Sequence, residues 1–199
     1  MRNTKTLAGI TLLALAGIGC GPTWIVIKQA NPNPLAGKKD FAVADWSWDG
    51  FKVGSRDADR KTLDEYVNTK KPEDQQKWRD DFAQDQVGAN EKFKSQIASR
   101  GSAMGLNTAA SGDAFTIKTQ VRIYEPGFFS PVGFGTRDTE IHVTVQIADG
   151  AGAVVDEVHF MGRATPNIYI PTTGQRIRIS AENIADQLGR YLQSRTAGK

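Results

Sequence analysis

Apolar residues recur every three or four positions in two long segments of the chain, and this spacing predicts two amphipathic α-helices. The first helix is expected from Pro72 to about Arg100, since proline suits the first helical position and Gly101 follows as a stop signal. The second is expected from about Gln175 to Ser194. The first apolar stripe comprises Trp78, Phe82, Ala89, Phe93 and Ile97, and the second comprises Ile177, Ala181, Ile184, Leu188 and Leu192.

Between these helices apolar residues alternate with polar ones, which predicts β-strands with one dry face and one wet face. Strands are expected at residues 115–124, 141–147 and 154–160, and the turn from Asp149 to Gly152 is typical of a hairpin between the last two. Two amphipathic helices can cover the apolar face of such a sheet. The predicted fold class is therefore α+β, a two-layer sandwich in which a mostly antiparallel sheet carries both helices on one face.

Shorter elements are expected before the first long helix. Residues 23–28 and 41–48 are rich in β-branched and aromatic residues, which favours two further strands. Residues 52–62 are charged and predict a loop. Thr62 and Glu65 have the spacing of a capping box, which predicts a short turn of helix after that loop.

The N-terminal segment has the composition of a secretory signal. Arg2 and Lys5 precede a short apolar run, and small residues precede Cys20, the only cysteine of the chain. A lone cysteine at this point resembles the lipobox of bacterial lipoproteins, in which the thiol is acylated and becomes the mature N-terminus. We therefore expect residues 1–19 to be a lipoprotein signal peptide and residues 20–199 to form a single α+β periplasmic domain.

Two alternatives to the lipobox remain open. The apolar run from Leu7 to Gly19 is shorter than the roughly 20 residues of a membrane-spanning helix, which disfavours a bitopic anchor. An ordinary signal peptide with an incidental cysteine is favoured by Gly17, because the lipobox prefers leucine three residues before the cysteine. The single cysteine argues for the lipobox, since an unpaired thiol in an oxidising compartment is a liability unless it is modified.

The distribution of charge argues against nucleic acid as a partner. The formal net charge of the chain is +3, and removal of residues 1–19 takes away Arg2 and Lys5 and no acidic residue, which leaves +1. Basic and acidic residues are interleaved from residue 52 to residue 100, without the basic stripe of a nucleic-acid-binding domain. We expect the lipid on Cys20, and not a basic patch, to hold the protein at a bilayer.

The candidate metal ligands are the two histidines, His142 and His159. A hairpin that opposes Ile141 to Phe160 would place the two histidines directly opposite each other on the polar face of the sheet. Two imidazoles at that spacing can share a metal ion, but a metal site needs further ligands. Two solvated histidines on an open sheet are the simpler interpretation.

No catalytic signature is found in the sequence. The segment that begins at Arg56 lacks the glycine and glutamate that a calcium loop needs, and Gly133-Phe134-Gly135 lacks the third glycine of a phosphate-binding loop. Asp80 and Asp81 are adjacent on a predicted helix and point in different directions, so they do not form a general acid/base pair. The sequence therefore predicts a protein that is not an enzyme and that uses no cofactor.

The segment from Glu125 to Phe134 combines three phenylalanines with proline and glycine, and it is longer than a hairpin turn requires. Aromatic residues on a loop either contact a partner or a membrane, or they fold back and cap the core. The sequence leaves both interpretations open. The residues suggested for partner binding are Phe128, Phe129 and Phe134 of this loop, with Lys118 and Arg122 of the polar sheet face.

The C-terminal half of the chain resembles an uncharacterised family of bacterial envelope lipoproteins, known as a domain of unknown function. The shared elements are Pro126-Gly127, Gly133-Phe134-Gly135, the strand from Thr139 to Ile147, the Asp149 to Gly152 turn, the strand from Val154 to Phe160 and the closing helix. The chain departs from the family at Phe128-Phe129-Ser130, where an arginine is frequent. The resemblance implies a fold and a cellular location, and it implies no activity.

These observations predict a non-enzymatic, membrane-anchored lipoprotein that binds or supports another cell-envelope component. Its partners would be the lipid bilayer, through acylated Cys20, and another envelope protein. We expect it to face the periplasm from the outer membrane, because Gly21 rather than aspartate follows the cysteine. The alternative is a periplasmic domain that binds a small molecule or a metal through His142 and His159.

Overall fold

The computed structural model describes residues 24–54, 56–111, 114–130 and 135–198. The predicted signal peptide and Cys20 lie outside these residues. Within the described part the chain forms six strands, three α-helices and a 3₁₀ turn at Asp57–Asp59. The strands are β1 (Trp24–Gln29), β2 (Phe41–Val43), β3 (Lys52–Val53), β4 (Phe115–Glu125), β5 (Thr139–Ala148) and β6 (Val154–Ala164), and the helices are α1 (Leu63–Val67), α2 (Pro72–Ala103) and α3 (Thr173–Thr196).

The fold is α+β, as predicted. The strands form one sheet in the order β1-β6-β5-β4-β2. β3 also pairs with β4, at the opposite end of that strand from β2. The pairs β1–β6, β6–β5 and β5–β4 are antiparallel, whereas β2 and β3 run parallel to β4. None of the helices in the described part of the chain is long and apolar enough to span a membrane.

The prediction of one continuous strand over residues 41–48 was wrong in extent, because regular pairing ends at Val43. Ala44 N–H donates to the Ile117 carbonyl, and Ser47 N–H donates to the Thr119 carbonyl. We call residues 41–48 the edge segment. Three of its residues therefore span two residues of β4, so the ladder is interrupted, and within this segment it resumes as an isolated bridge between Ser47 and Gln120.

The predicted loop over residues 52–62 also contains a short strand. Lys52–Val53 pairs in parallel with Ile123 and Tyr124, and Val53 is 1% exposed. A pair of backbone hydrogen bonds between Val53 and Lys61 closes the loop that follows. The capping box at Thr62 and Glu65 starts α1, as predicted.

The two long helices pack side by side on one face of the sheet. On α2, the Phe82 ring stacks on Phe51, and its centre lies 5.3 Å from the centre of the Tyr124 ring of β4. The ring centres of Phe93 and Trp46 are 5.1 Å apart. The whole predicted stripe of α3 is buried. On α2, Phe82, Ala89, Phe93 and Ile97 are buried, whereas Trp78 is half-buried and packs on Tyr66 of α1.

Helix α2 continues through Gly101, which was expected to stop it. The glycine is buried because the connection after the helix crosses it closely: a Cβ at Gly101 would lie 2.7 Å from Cγ2 of Thr108 and 3.3 Å from the Leu106 carbonyl oxygen. The chain leaves the helix after Ala103, and Gly105 takes the positive φ of 70°. Gly101 is therefore required for close packing and not for chain reversal.

The β5–β6 hairpin has a different register from the predicted one. Val143 pairs with Phe160 and Thr144 pairs with His159, which is a shift of two residues. The turn is closed by Asp149, whose side chain accepts from the backbone N–H groups of Ala151 and Ala153. An irregularity follows at the start of β6, where Ala148 pairs with Val154 but Ile147 pairs with Asp156. A shift of two residues keeps the side chains from Asp156 onwards on their predicted faces, whereas Val154, which pairs with Ala148, lies on the face opposite to the predicted one.

Candidate functional site

The face of the sheet opposite the helices is uncovered in the described part of the chain. We call it the open face. On the side of β4 and β5 it carries a depression of about 420 Å³, whose polar lining includes Asp45, Ser47, Lys118, Gln120, Arg122 and Gln146. Lys118 and Arg122, the two cationic residues predicted to bind a partner, are thus brought to the same depression. The depression therefore presents both signs of charge together with uncharged hydrogen-bonding groups.

The position of Arg122 depends on an irregularity of β4. Val121 pairs with Val143 and Ile123 pairs with His142, so Arg122 is an extra residue in the strand. A bulged residue is left out of the ladder and re-aims its side chain, and Arg122 is exposed. Gln120, two residues earlier, donates from its side chain to the Asp49 carbonyl at 2.6 Å and ties the edge segment to β4.

His142 and His159 also lie on the open face, and the structure brings them together. They are diagonal neighbours and not direct partners, because the register is shifted. The diagonal nevertheless places His142 Nδ1 3.3 Å from His159 Nε2. On the other side of the ring, His142 Nε2 lies 3.7 Å from Glu140 Oε2. The predicted proximity is therefore present, although the predicted pairing was wrong.

Burial favours the neutral form of both imidazoles. Burial lowers the pKa of His142 from its usual 6.5, and the nearby Glu140 carboxylate opposes that shift only in part. Burial also lowers the pKa of His159, and the charge of a protonated His142 and of Arg122 lowers it further. Neutral imidazole is the form that binds transition metals.

The pair has part of the geometry of a metal site. Two imidazole nitrogens that each lie about 2.0–2.1 Å from a tetrahedral zinc ion are separated by roughly 3.3 Å, which is the separation found here. Glu140 could orient His142 through the other ring nitrogen, as carboxylates do for zinc-bound histidines. Within the residues that the structure describes, however, no group of three or more His, Cys, Asp or Glu side chains is placed to hold a metal.

Acidification should destabilise the protein through this histidine pair. Because both folded-state pKa values are lowered, the unfolded chain binds more protons than the folded chain once the pH falls below about 6.5. The stabilising contribution of the neutral pair is complete above that pH and is lost as the pH falls towards the folded-state values. The measurement is the urea midpoint at pH 7.5 and at about pH 5.5.

The matched control for this prediction is the double variant His142→Gln/His159→Gln. It removes the titrating groups and keeps polar side chains on the open face. We expect its urea midpoint to fall less than that of the native protein over the same pH interval. Equal losses in the two proteins would assign the pH dependence to other groups and contradict the prediction.

The aromatic loop is only partly within the described residues. Phe128 is 45% exposed, and its backbone is bound to Arg137 by two hydrogen bonds of 3.0 Å. The Arg137 guanidinium lies 6.0 Å from the centre of the Phe128 ring. Phe129 is half-buried, and Phe134 lies outside the described residues. Of the two phenylalanines that can be compared, Phe128 is the more exposed to solvent.

The structure also reveals Arg176, which the sequence reasoning missed. It is 1% exposed, yet its guanidinium has no carboxylate partner among the described residues. It donates to the carbonyl oxygen of Pro126 at 3.2 Å, to Thr139 Oγ1 at 2.8 Å and to the Pro171 carbonyl. One side chain therefore joins the loop after β4 to the loop after β6. Arg176 lies between Gln175 and Arg178, which are both exposed, so its burial had no signal in the sequence.

Comparisons with known proteins give structural similarity only. No protein-family profile matches the chain, and no relative is found among the curated proteins. The chain is similar to a protein described as a minor lipoprotein from Acinetobacter baumannii, with 12% identity and a TM-score of 0.42 over 78% of this chain and 93% of the other. It is also similar to PelC from Paraburkholderia phytofirmans, a dodecamer, with 16% identity and a TM-score of 0.42 over 84% of this chain and 96% of the other.

Proposed function

We propose that the chain is a non-enzymatic bacterial lipoprotein, anchored in a bilayer through acylated Cys20, that binds another cell-envelope protein through the open face. The observation that carries the proposal is the one-sided packing of the sheet. Both long helices cover one face, and the other face keeps a polar depression of about 420 Å³ that no other described element fills. A surface of this size and polarity is suited to a protein partner with hydrogen-bonding and charged groups.

The short connection to the anchor supports this orientation. Trp24, the first residue of β1, follows Cys20 by four residues. A chain of that length spans at most about 14 Å. A lipid on Cys20 would therefore hold the folded domain against the membrane surface and would keep its partner surface at a defined distance from the bilayer. We place the protein at the outer membrane, facing the periplasm.

The anchor is tested by the variant Cys20→Ser. Because the thioether and the N-terminal acyl chain both require the cysteine, we expect the native protein in the membrane fraction and at least about ten times less of the variant there. The measurement is immunoblotting of membrane and soluble fractions, with a density gradient to separate inner from outer membrane. Equal membrane recovery of both proteins would refute the anchor.

The partner surface is tested by charge reversal with Lys118→Glu/Arg122→Glu. Both side chains are exposed, so we expect the fold to be kept while cross-linking to the envelope partner in cells falls at least about fivefold. The control is Lys77→Glu, which reverses an exposed charge on α2, on the opposite layer. If both variants cross-link as the native protein does, the open face is not the partner surface.

The second candidate function is binding of a metal or a small molecule by His142 and His159. The observation in its favour is the 3.3 Å separation of the two ring nitrogens. Addition of Zn²⁺ or Ni²⁺ should raise the melting temperature of the native protein and leave that of His159→Ala unchanged. If the two proteins respond alike, the histidine pair is not the site.

A further inference from the structure

Three of the large apolar side chains that are exposed in the described residues lie on two loops at one end of the sheet. Phe128 is 45% exposed, Ile168 is 73% exposed and Tyr169 is 81% exposed. We call these three residues the apolar tip. Single exposed apolar residues are normal on a protein surface, whereas a group of them at one end calls for a specific contact.

The strand register places both loops at the same end of the sheet. β4 ends at Glu125, which pairs with Glu140 near the start of β5, and Glu140 in turn pairs with Arg163 near the end of β6. The loop after β4 carries Phe128, and the loop after β6 carries Ile168 and Tyr169. Both loops therefore leave the sheet in the same direction.

Arg176 fixes the bases of the two loops to each other. Its guanidinium donates to the carbonyl of Pro126, two residues before Phe128, and to the carbonyl of Pro171, two residues after Tyr169. Because the group is buried, these bonds are not exchanged with water. The apolar tip is thus held on one rigid support and not on two independent loops.

Local hydrogen bonds hold the second loop in one conformation. The Asn167 side chain accepts from the backbone N–H groups of Tyr169 and Ile170 at 2.8 and 3.2 Å. Those bonds form a compact turn whose outermost residues are Ile168 and Tyr169. The apolar side chains therefore project from the end of the molecule at little further entropic cost on binding.

β1 begins on the side of the sheet that carries the apolar tip. β1 is antiparallel to β6, and Trp24 pairs with Phe160. Four residues of β6, Met161 to Ala164, remain between that pair and the loop of the tip. Trp24 likewise follows Cys20 by four positions. The maximum reach of the tether, about 14 Å, is therefore comparable to the distance of about 13 Å along β6 from the level of Trp24 to the base of the tip.

We propose that the apolar tip inserts into the surface of the bilayer beside the acylated Cys20 and forms a second membrane contact. This inference rests on the proposed anchor, whose short tether requires that some surface of the domain meet the membrane. The chemistry of the tip fits that surface, since tyrosine and apolar side chains partition to the boundary between headgroups and acyl chains. An acyl anchor combined with a second contact also fixes the orientation of the domain on the membrane.

The test uses an environment-sensitive fluorophore on a single introduced thiol. In the acylated protein the only native cysteine is blocked, so Tyr169→Cys provides one site for labelling. The labelled full mature protein is reconstituted in liposomes of phosphatidylethanolamine and phosphatidylglycerol that contain a lipid with a nitroxide near the headgroup. The matched control is Val87→Cys, an exposed apolar position on α2 that is 58% exposed.

We expect the nitroxide lipid to quench the label at position 169 at least twofold more than the label at position 87. The label at Ile168→Cys should behave like that at position 169. Equal quenching at positions 87 and 169, or none at either, overturns the proposal. Shielding of position 169 in native membranes without quenching in pure liposomes also overturns it, because the tip would then contact a protein.

The anchor and the tip can fail separately. If Cys20→Ser becomes soluble while acylated protein shows no quenching at position 169, the anchor stands and the tip proposal is wrong. If Cys20→Ser remains on membranes and the further change Ile168→Asp/Tyr169→Asp releases it, the tip stands and the anchor proposal is wrong. Ile168 and Tyr169 are both exposed, so the substitutions Ile168→Asp and Tyr169→Asp should not affect folding.

Discussion

Replacement of Asp156 by alanine is expected to lower the free energy of unfolding by about 3–5 kcal/mol, because it leaves a buried charge without its partner. Asp156 is fully buried on β6, and Arg195 of α3 is 4% exposed. The guanidinium donates from Nε to Oδ2 at 2.7 Å and from Nη2 to Oδ1 at 3.0 Å. Truncation of the carboxylate removes both bonds and keeps the cation in the core.

Two further donors would lose their acceptor in the same variant. Tyr191 donates its hydroxyl to Asp156 Oδ2 at 2.7 Å, and burial raises the pKa of Tyr191, so the hydroxyl stays protonated. The backbone N–H of Ala30 donates to Asp156 Oδ1 at 3.1 Å, and Arg195 donates back to the Ala30 carbonyl. The network thus ties the chain after β1 to α3, and β1 should exchange its amide hydrogens faster in the variant.

The measurement is chemical denaturation followed by circular dichroism, with Asp186→Ala as the matched control. Asp186 also binds an arginine through two hydrogen bonds, to Arg100, but this pair is at the surface. Surface ion pairs are screened by water and contribute little to stability. We expect the loss in Asp186→Ala to be a small fraction of that in Asp156→Ala. Similar losses in the two variants would show that burial of the ion pair is not decisive.

Replacement of Gly162 by alanine is expected to cost about 3 kcal/mol, at the upper end of the usual cost of overpacking. α3 crosses β6 at this glycine, and a Cβ there would lie 2.1 Å from the Ser180 carbonyl oxygen and 2.9 Å from Cγ1 of Ile184. The first of these atoms belongs to the helix backbone, so the clash can be relieved only by moving α3 away from the sheet.

The control for this substitution is Gly189→Ala, on α3, the helix that crosses Gly162. The nearest atoms to its added Cβ are Cβ of Arg100 at 3.3 Å, which needs an adjustment of only a few tenths of an ångström, and Cε of Met104 at 3.5 Å, an ordinary contact with the end of a flexible side chain. Alanine is also favoured over glycine within a helix by about 1 kcal/mol. Thermal denaturation should therefore show a lower melting temperature for Gly162→Ala and an unchanged or higher one for Gly189→Ala. The opposite order would contradict the assigned contact.

The parts of the fold that were predicted correctly depend on local periodicity. The stripes of α2 and α3 and the alternation in β5, β6 and the first part of β4 can be seen within single segments, and the capping box of α1 lies within four residues. After the bulge at Arg122 the alternation of β4 is reversed: Tyr124, predicted on the polar face, is buried in the core, and Ile123 pairs with His142 of the open face. The interruption after Val43 and the irregularity before Asp156 were not predicted, because both depend on how two distant segments match in length. The end of α2 was also predicted two or three residues early, since Gly101 serves packing and not termination.

The candidate site divides in the same way. Alternation placed Lys118, Arg122, His142 and His159 on one face, and a register error of two residues did not change that face. The neighbours of these side chains could not be predicted. The diagonal contact between the histidines follows from the irregularity at the start of β6, and the direction of the Arg122 side chain follows from the bulge in β4. Arg176 carried no signal at all. The acylation of Cys20 and the role of Phe134 remain predictions, since both residues lie outside the described part of the chain.

The sequence by itself determined which faces of the strands and helices are apolar, and hence the α+β class and the open polar face, because side-chain periodicity is a local property of the backbone. It also indicated a lipid anchor at Cys20. Only the tertiary structure decided which residues meet: the diagonal histidine pair, the buried Arg195–Asp156 pair and the apolar tip held by Arg176. These contacts join residues far apart in the chain, and their geometry depends on strand register and on where backbones approach closely.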